Sequence, residues 1–204
     1  AVAVRPVPAD LQAQFETVKR DFFGLIQQLP PMFSAVKKDG KPLYKYARQG
    51  EVVERQPRTV HIGAIETLGW NEHAVSVRVE CSGGTYMRTL AHDIGQKIGC
   101  GAHLTQLRRT GAGEFSLDDA VALEDVTPEA LKPLADALHP MPQVALNVPQ
   151  AAAIRQGQAI GLHRSLGGPV AALLDDRGVV IGVAKVQGNL LQPECVIPLE
   201  ARVG

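Results

Sequence analysis

The stretch from Val75 to Gly99 constrains the fold of this 204-residue chain more than any other. Val75, Val77, Val79 and Cys81 alternate with Ser76, Arg78 and Glu80, the period-two pattern of a strand with one face toward a core. Gly83-Gly84 ends that pattern. Met87, Leu90, Ala91, Ile94 and Ile98 then recur on one helical face, and Gly99 is a natural C-cap. A second alternation, Val60, Ile62 and Ala64 against His61 and Gly63, predicts a partner strand, with Asn71-Glu72 in the turn between the two. Paired strands that feed a helix point to an α+β fold.

The flanking regions are less periodic. Pro8-Ala9-Asp10 opens a helical pattern in which Leu11, Phe15, Val18, Phe22 and Leu25 form one apolar stripe, stopped by Pro30-Pro31. Met32 to Gly50 has no clean period and reads as an exposed loop or small insertion, expected to be mobile. Leu104 to Arg109 reads as a strand. From Phe115 to Asp136 the chain is acidic, with short helical patterns such as Pro128-Glu129-Ala130-Leu131. Pro140 and Pro142 mark a boundary. Beyond it, Val170–Leu174 and Val179–Val183 flank Asp175-Asp176-Arg177-Gly178 as a hairpin, and Val196–Leu199 offers a last strand. The expected division is 1–139 and 140–204, the latter a compact β domain.

Composition narrows the functional classes. The formal net charge is zero, which argues against a uniformly basic nucleic-acid binder. The distribution is uneven: Lys37 to Arg48 holds five basic residues and one acid, whereas Glu114 to Asp136 holds seven acids and one base. One patch suits phosphate and the other repels it; the bland alternative is two solvated faces. Cys81, Cys100 and Cys195 are odd in number and lack CxxC spacing, so neither a disulfide framework nor a metal site is expected. No apolar run reaches membrane-spanning length and no signal-peptide pattern opens the chain. Reduced cysteines and the absence of a leader fit the cytoplasm. The first residue is Ala rather than Met, which raises the expectation of an upstream segment.

Three stretches carry candidate chemistry. In Pro30 to Gly50, Lys37, Lys38, Lys41 and Arg48 are interleaved with Phe33, Tyr44 and Tyr46; cations neutralise phosphate and ring faces stack on unpaired bases. The alternative is a solvated loop with its tyrosines tucked against the core. In Cys81 to Gly95, Tyr86 and Arg88 stand where a strand gives way to a helix. A guanidinium there opposes the helix dipole, so aiming it at a carboxylate or phosphate is the more natural use. In Gly99 to Phe115, Arg108 and Arg109 are adjacent and on a strand would face opposite ways; an ordinary surface charge is the alternative for each.

Together the stretches PPMFSAVKKDGKPLYKYARQG, CSGGTYMRTL and GCGAHLTQLRRTGAGEF resemble the TruB-type tRNA pseudouridine synthases in order and spacing, from about Phe22 through Phe115 and more weakly to the end. Phe33 stands where the family has Tyr. The resemblance implies a mixed or antiparallel pseudouridine-synthase sheet with flanking helices, a thumb insertion at about residues 30–55, and a small PUA-like C-terminal RNA-binding domain. It implies an isomerase acting without cofactor or metal, converting one T-loop uridine of tRNA, position 55, to pseudouridine: the glycosidic C–N bond breaks, the base rotates, and a bond forms to C5. It implies that Arg88 pairs with and orients a catalytic aspartate, that Tyr86 packs on the flipped base and that Leu107 lines the same pocket. Lys37, Lys38, Lys41, Tyr44, Arg48, Arg108 and Arg109 are then the expected contacts to the T stem-loop of a monomeric enzyme.

The aspartate itself is the exception. The family carries it in a motif close to HxGxLDPxAxG, ahead of the helix that opens this chain. His61-Ile62-Gly63-Ala64-Ile65-Glu66 imitates the first half of that motif, but it follows the thumb and has the alternation of a strand. Asp93 lies five residues beyond Arg88 on a different helical face. The expectation is therefore that the nucleophile lies outside this sequence, in a longer enzyme of which this is a part or through natural truncation. Two readings remain beside the enzyme: a non-catalytic RNA-binding or RNA-folding module, and a purely structural β-rich protein that leaves the three stretches unexplained.

Overall fold

The computed structural model describes residues 5–71 and 74–198. By its internal contacts the chain divides into two compact units, one ending at Arg108 and the other beginning at Arg109.

The first unit opens with α1 (Leu11–Val18), continued by a 3₁₀ turn over Lys19–Phe22. The predicted stripe ends there: Gly24, at φ 79°, takes the chain out of the helix, and Gly24–Gln28 forms β1. Leu25 is thus a strand residue opposite His61, 75% exposed, and not part of the helical face. Tertiary pairing has overridden a helical period that was continuous in the sequence. The predicted loop is also corrected. Lys37–Lys38 (β2) and Lys41–Pro42 (β3) form a hairpin turned by Asp39 and Gly40, both at positive φ, and Leu43–Arg48 forms α2. Leu43 is fully buried.

The long strand β4 (Arg58–Trp70) pairs antiparallel with β1 on one side and with β5 (Val75–Cys81) on the other. Its register shifts between Ile62 and Ala64, so the core side chains step from Val60 and Ile62 to Ile65; a bulge breaks strict alternation in this way. On β5, Val75 and Val79 pack on the core, whereas Val77 is partly exposed and Cys81 exposed. Asn71 closes its turn through its own side chain, which accepts from the Ala74 N–H; Glu72 lies outside the described residues. The helix α3 (Met87–Ile98) follows as expected, with Leu90 and Ile94 buried against Phe15, Ile62 and Ile65, and Gly99 left-handed at its C-cap. Such burial stabilises by about 1.5–3 kcal/mol per side chain. The strand expected at 104–109 does not form; those residues have no regular secondary structure. Among the described residues Leu104, Leu107 and their neighbours join no ladder, and what fixes the preceding turn is instead the seating of Gly101 and Ala102 on Gly95.

The second unit begins with the short hairpin of β6 (Gly111–Ala112) and β7 (Phe115–Ser116). The acidic stretch then runs through 3₁₀ turns at Leu117–Asp119, Leu123–Asp125 and Pro128–Ala130 to α4 (Leu134–Ala137). Among the described residues the remaining elements make a mixed five-stranded sheet in the order β8 (Gln143–Ala145), β10 (Val170–Leu174), β11 (Val180–Gln187), β12 (Leu190–Val196) and β9 (Ile160–Gly161), with α5 (Val148–Arg155) beside it. The predicted hairpin is present: Asp175 Oδ1 accepts from the N–H of Arg177 and of Val179. Among the described residues the last strand is β12, ending at Val196 rather than starting there, and Leu199 lies outside the described residues. The core is drawn from Leu146 to Leu191, with Ile154, Leu173, Ile181 and Leu191 fully buried. The architecture is α+β, with a β-rich C-terminal part.

Candidate functional site at the start of α3

Strand β1 ends at Gln28, and the next residues cannot continue a ladder, because Pro30 and Pro31 have no N–H. Their carbonyls are met by side chains from elsewhere. Thr89 Oγ1 donates to Leu29 O (3.4 Å), Arg55 Nη1 to Pro30 O (2.9 Å) and Arg88 Nη2 to Phe33 O (2.7 Å). Gln28 ties the other end. Its Oε1 accepts from the Tyr86 N–H at 2.9 Å, and its Nε2 donates to Tyr86 O at 3.4 Å. The segment Gln28–Phe33 is therefore fastened to the first turn of α3.

This places Tyr86 and Arg88 at one end of that helix, Tyr86 as its half-buried N-cap residue and Arg88 exposed. The bond to Phe33 is a structural use of the guanidinium that the sequence did not suggest. It takes one of five N–H donors, so the fork keeps others for a carboxylate. Leu107 is 68% exposed in the irregular segment beyond Ala102, followed by Arg108 and Arg109, for which no hydrogen bond or ion pair exists among the described residues. Without a strand, nothing in the backbone pattern sets Arg108 and Arg109 on opposite faces. Gln28, Thr89 and Arg55 were missed; the signal available was the pair of prolines, which leaves carbonyls that need donors.

Between Lys37 and Arg48 two of the cations lie over rings. Lys41 Nζ stands 4.1 Å from the Tyr46 ring centroid and also bonds Gln49 Oε1; the Arg48 guanidinium stands 5.4 Å from that of Tyr44. Lys38 Nζ donates to Glu54 O at 3.2 Å, and Lys37 is exposed. Glu66, the imitation of the motif acid, lies on β4 in a 2.9 Å ion pair with Arg78. Among the described residues no group of His, Cys, Asp and Glu is arranged to hold a metal, and no helix is long and apolar enough to cross a membrane.

Asp93 is half-buried on α3, and burial pushes its carboxyl above the ordinary carboxylate range, with the charge of neighbouring His92 opposing. A raised native pKa means that the folded state binds the proton more tightly than the unfolded chain. Stability from this group therefore falls as pH rises from the unfolded to the folded pKa. Asp93→Asn is expected to raise the melting temperature at neutral pH and to give no such gain in strong acid; thermal melts at both pH values check this.

The fold is that of the pseudouridine synthases. The chain aligns with the crystal structure of a Cbf5–Nop10–Gar1 complex at a TM-score of 0.68 and 25% identity, covering 96% of this chain and 64% of that one. It aligns with an H/ACA RNP bound to a substrate RNA at a TM-score of 0.67 and 21% identity, covering 96% and 63%. The chain belongs to the TruB family: residues 3–87 match the TruB family pseudouridylate synthase N-terminal domain, 88–144 the tRNA pseudouridylate synthase B C-terminal domain, and 142–197 the C-terminal domain of pseudouridine synthase II TruB. Relatives named tRNA pseudouridine synthase B include that of Cupriavidus metallidurans, 42% identical over 97% of this chain and 68% of its own length. That of Burkholderia lata is 43% identical over 96% of this chain and 64% of its own length. The chain thus spans about two thirds of the length of these relatives.

Proposed function

We propose that these residues form the substrate-gripping part of a tRNA pseudouridine synthase that isomerises the T-loop uridine at position 55. The observation that carries this reading is the start of α3, where Tyr86 and Arg88 are presented together by a clamped junction. Family membership and 42% identity to a protein named tRNA pseudouridine synthase B support it. The uridine leaves its stack at a cost of about a few kcal/mol. Tyr86 and Leu107 pack on it, and Arg88 orients an aspartate supplied from outside these 204 residues. No cofactor or metal takes part. Lys37, Lys38, Lys41, Tyr44, Arg48, Arg108 and Arg109 meet the T stem-loop, and residues 140–204 form a PUA-like domain that adds RNA contacts. The protein works as a monomer in the cytoplasm.

The test is binding of the chain to a T-arm hairpin as a function of salt. Phosphate contacts release counterions, so affinity falls steeply as salt rises. Replacing both Lys37 and Arg48 with Gln is expected to weaken binding and to flatten the slope of log K against log salt by about 0.7–0.9 per lost phosphate contact. An unchanged slope means that neither side chain touches phosphate. Failure of the unaltered chain to bind the hairpin ends the reading.

A further inference from the structure

We propose that Gln28 is a positioning residue for this site: its buried carboxamide, bonded to both backbone groups of Tyr86, sets the direction of the Tyr86 ring and the reach of Arg88. The inference rests on the reading of Tyr86 as the group that packs on the uridine.

Gln28 is only 1% exposed. A buried carboxamide needs partners for both ends or it costs stability, and here both partners belong to one residue, Tyr86. That residue is the N-cap of α3, in an extended conformation (φ −98°, ψ 106°), and no side chain of its own helix caps it. In a capping box the N–H of the N-cap residue is met by a Glu or Gln three positions into the same helix. Here the acceptor comes from β1, 58 residues earlier in the chain. The Tyr86 carbonyl also accepts the Leu90 N–H at 3.0 Å, the first bond of the helix. Gln28 therefore holds the peptide groups on both sides of the Tyr86 Cα. Fixing them fixes the Cα–Cβ direction of Tyr86 and the first turn, which carries Arg88. An apolar side chain of equal volume would fill the same space, leave the Tyr86 N–H unpaired and set no direction.

Two T-arm hairpins test this, one with uridine at the target position and one abasic there. The unaltered chain is expected to prefer the uridine hairpin about tenfold, the scale of one base stacked on an aromatic side chain. Gln28→Met keeps the volume and removes both bonds. It is expected to bring the preference to within about twofold, with the salt slope unchanged because the phosphate contacts are intact. A folded Gln28→Met chain that keeps the full preference overturns the proposal. So does one that loses preference and salt slope together, since that marks general loosening. Gln28→Glu gives a second measurement. It always offers an acceptor but offers a donor only when protonated. Its preference is expected to recover as pH is lowered from about 8 to about 5, while that of the unaltered chain stays level; a flat profile for the variant overturns the proposal. If the unaltered chain binds both hairpins equally, Tyr86 is not the base contact and the inference fails with that reading. If the unaltered chain discriminates and the variants do too, the inference alone fails.

Discussion

Gly95→Ala is expected to lower the stability of the first unit by about 2–3 kcal/mol. A Cβ on Gly95 would stand 2.2 Å from the Ala102 amide nitrogen and 2.3 Å from the Gly101 carbonyl carbon. Both are backbone atoms, so no side chain can swing aside. Alanine would gain about 1 kcal/mol of helix propensity over glycine. The overlap outweighs that gain, because α3 and the 101–102 turn must separate. Separation stretches the 2.9 Å bond from the Gly101 N–H to Gly95 O and loosens the packing of Ile94. Urea unfolding of the two proteins measures the difference. Gly83→Ala is the control: nothing lies within 4 Å of its added Cβ, and a change within about 0.5 kcal/mol is expected. Equal stability of Gly95→Ala and the unaltered chain would show that the turn yields freely.

The largest expected effect on chemistry is its absence. A T-arm RNA incubated with these 204 residues is expected to keep its uridine, even under conditions where the chain binds it. Two acids of the chain are poorly suited: Glu66, on β4, is paired with Arg78 of β5, and Asp93 has its carboxyl pushed toward the protonated form by burial. A carboxylate beside Arg88 would be held ionised and oriented by charge-assisted bonds. In a longer protein that also carries the HxGxLDP motif, Arg88→Lys is expected to cost at least about tenfold in rate, because an ammonium cannot make the planar, paired contacts of a guanidinium. Quantifying pseudouridine after digestion of the RNA reads both results. Product above a no-protein control from the 204 residues alone would return Glu66 or Asp93 to consideration.

The parts of the fold that were legible in the sequence are those in which one local pattern agrees with its surroundings. The strand β5, the apolar face of α3 and the Asp175–Gly178 hairpin are local, and each is present, although on β5 only Val75 and Val79 of the alternating set pack on the core. Leu25 shows the opposite case. Its place in a helical stripe was sound arithmetic, but Gly24 and the pairing of Leu25 with His61 lie outside the reach of a local period. Leu104 to Arg109 had strand composition but, among the described residues, no strand to pair with. At the site, Tyr86 and Arg88 stood out because their residue types are unusual at a strand-to-helix junction. Gln28 did not stand out, since its meaning depends on a partner 58 residues away. The same holds for the bond from Arg88 to the Phe33 carbonyl, made across 55 residues.

The hairpin and helix between Lys37 and Arg48 bear on the thermodynamics of association. A disordered basic loop would have to surrender its backbone freedom when it met RNA, at about 1–2 kcal/mol for each residue fixed. Here much of that loss has already occurred in folding, through the β2–β3 pairing, the buried Leu43 and the cations resting on Tyr44 and Tyr46. Those same cations occupy aromatic faces that a nucleobase would otherwise use. If RNA meets this segment, it meets a surface already ordered, and a base that sought to stack on either covered face would first have to displace the protein's own cation.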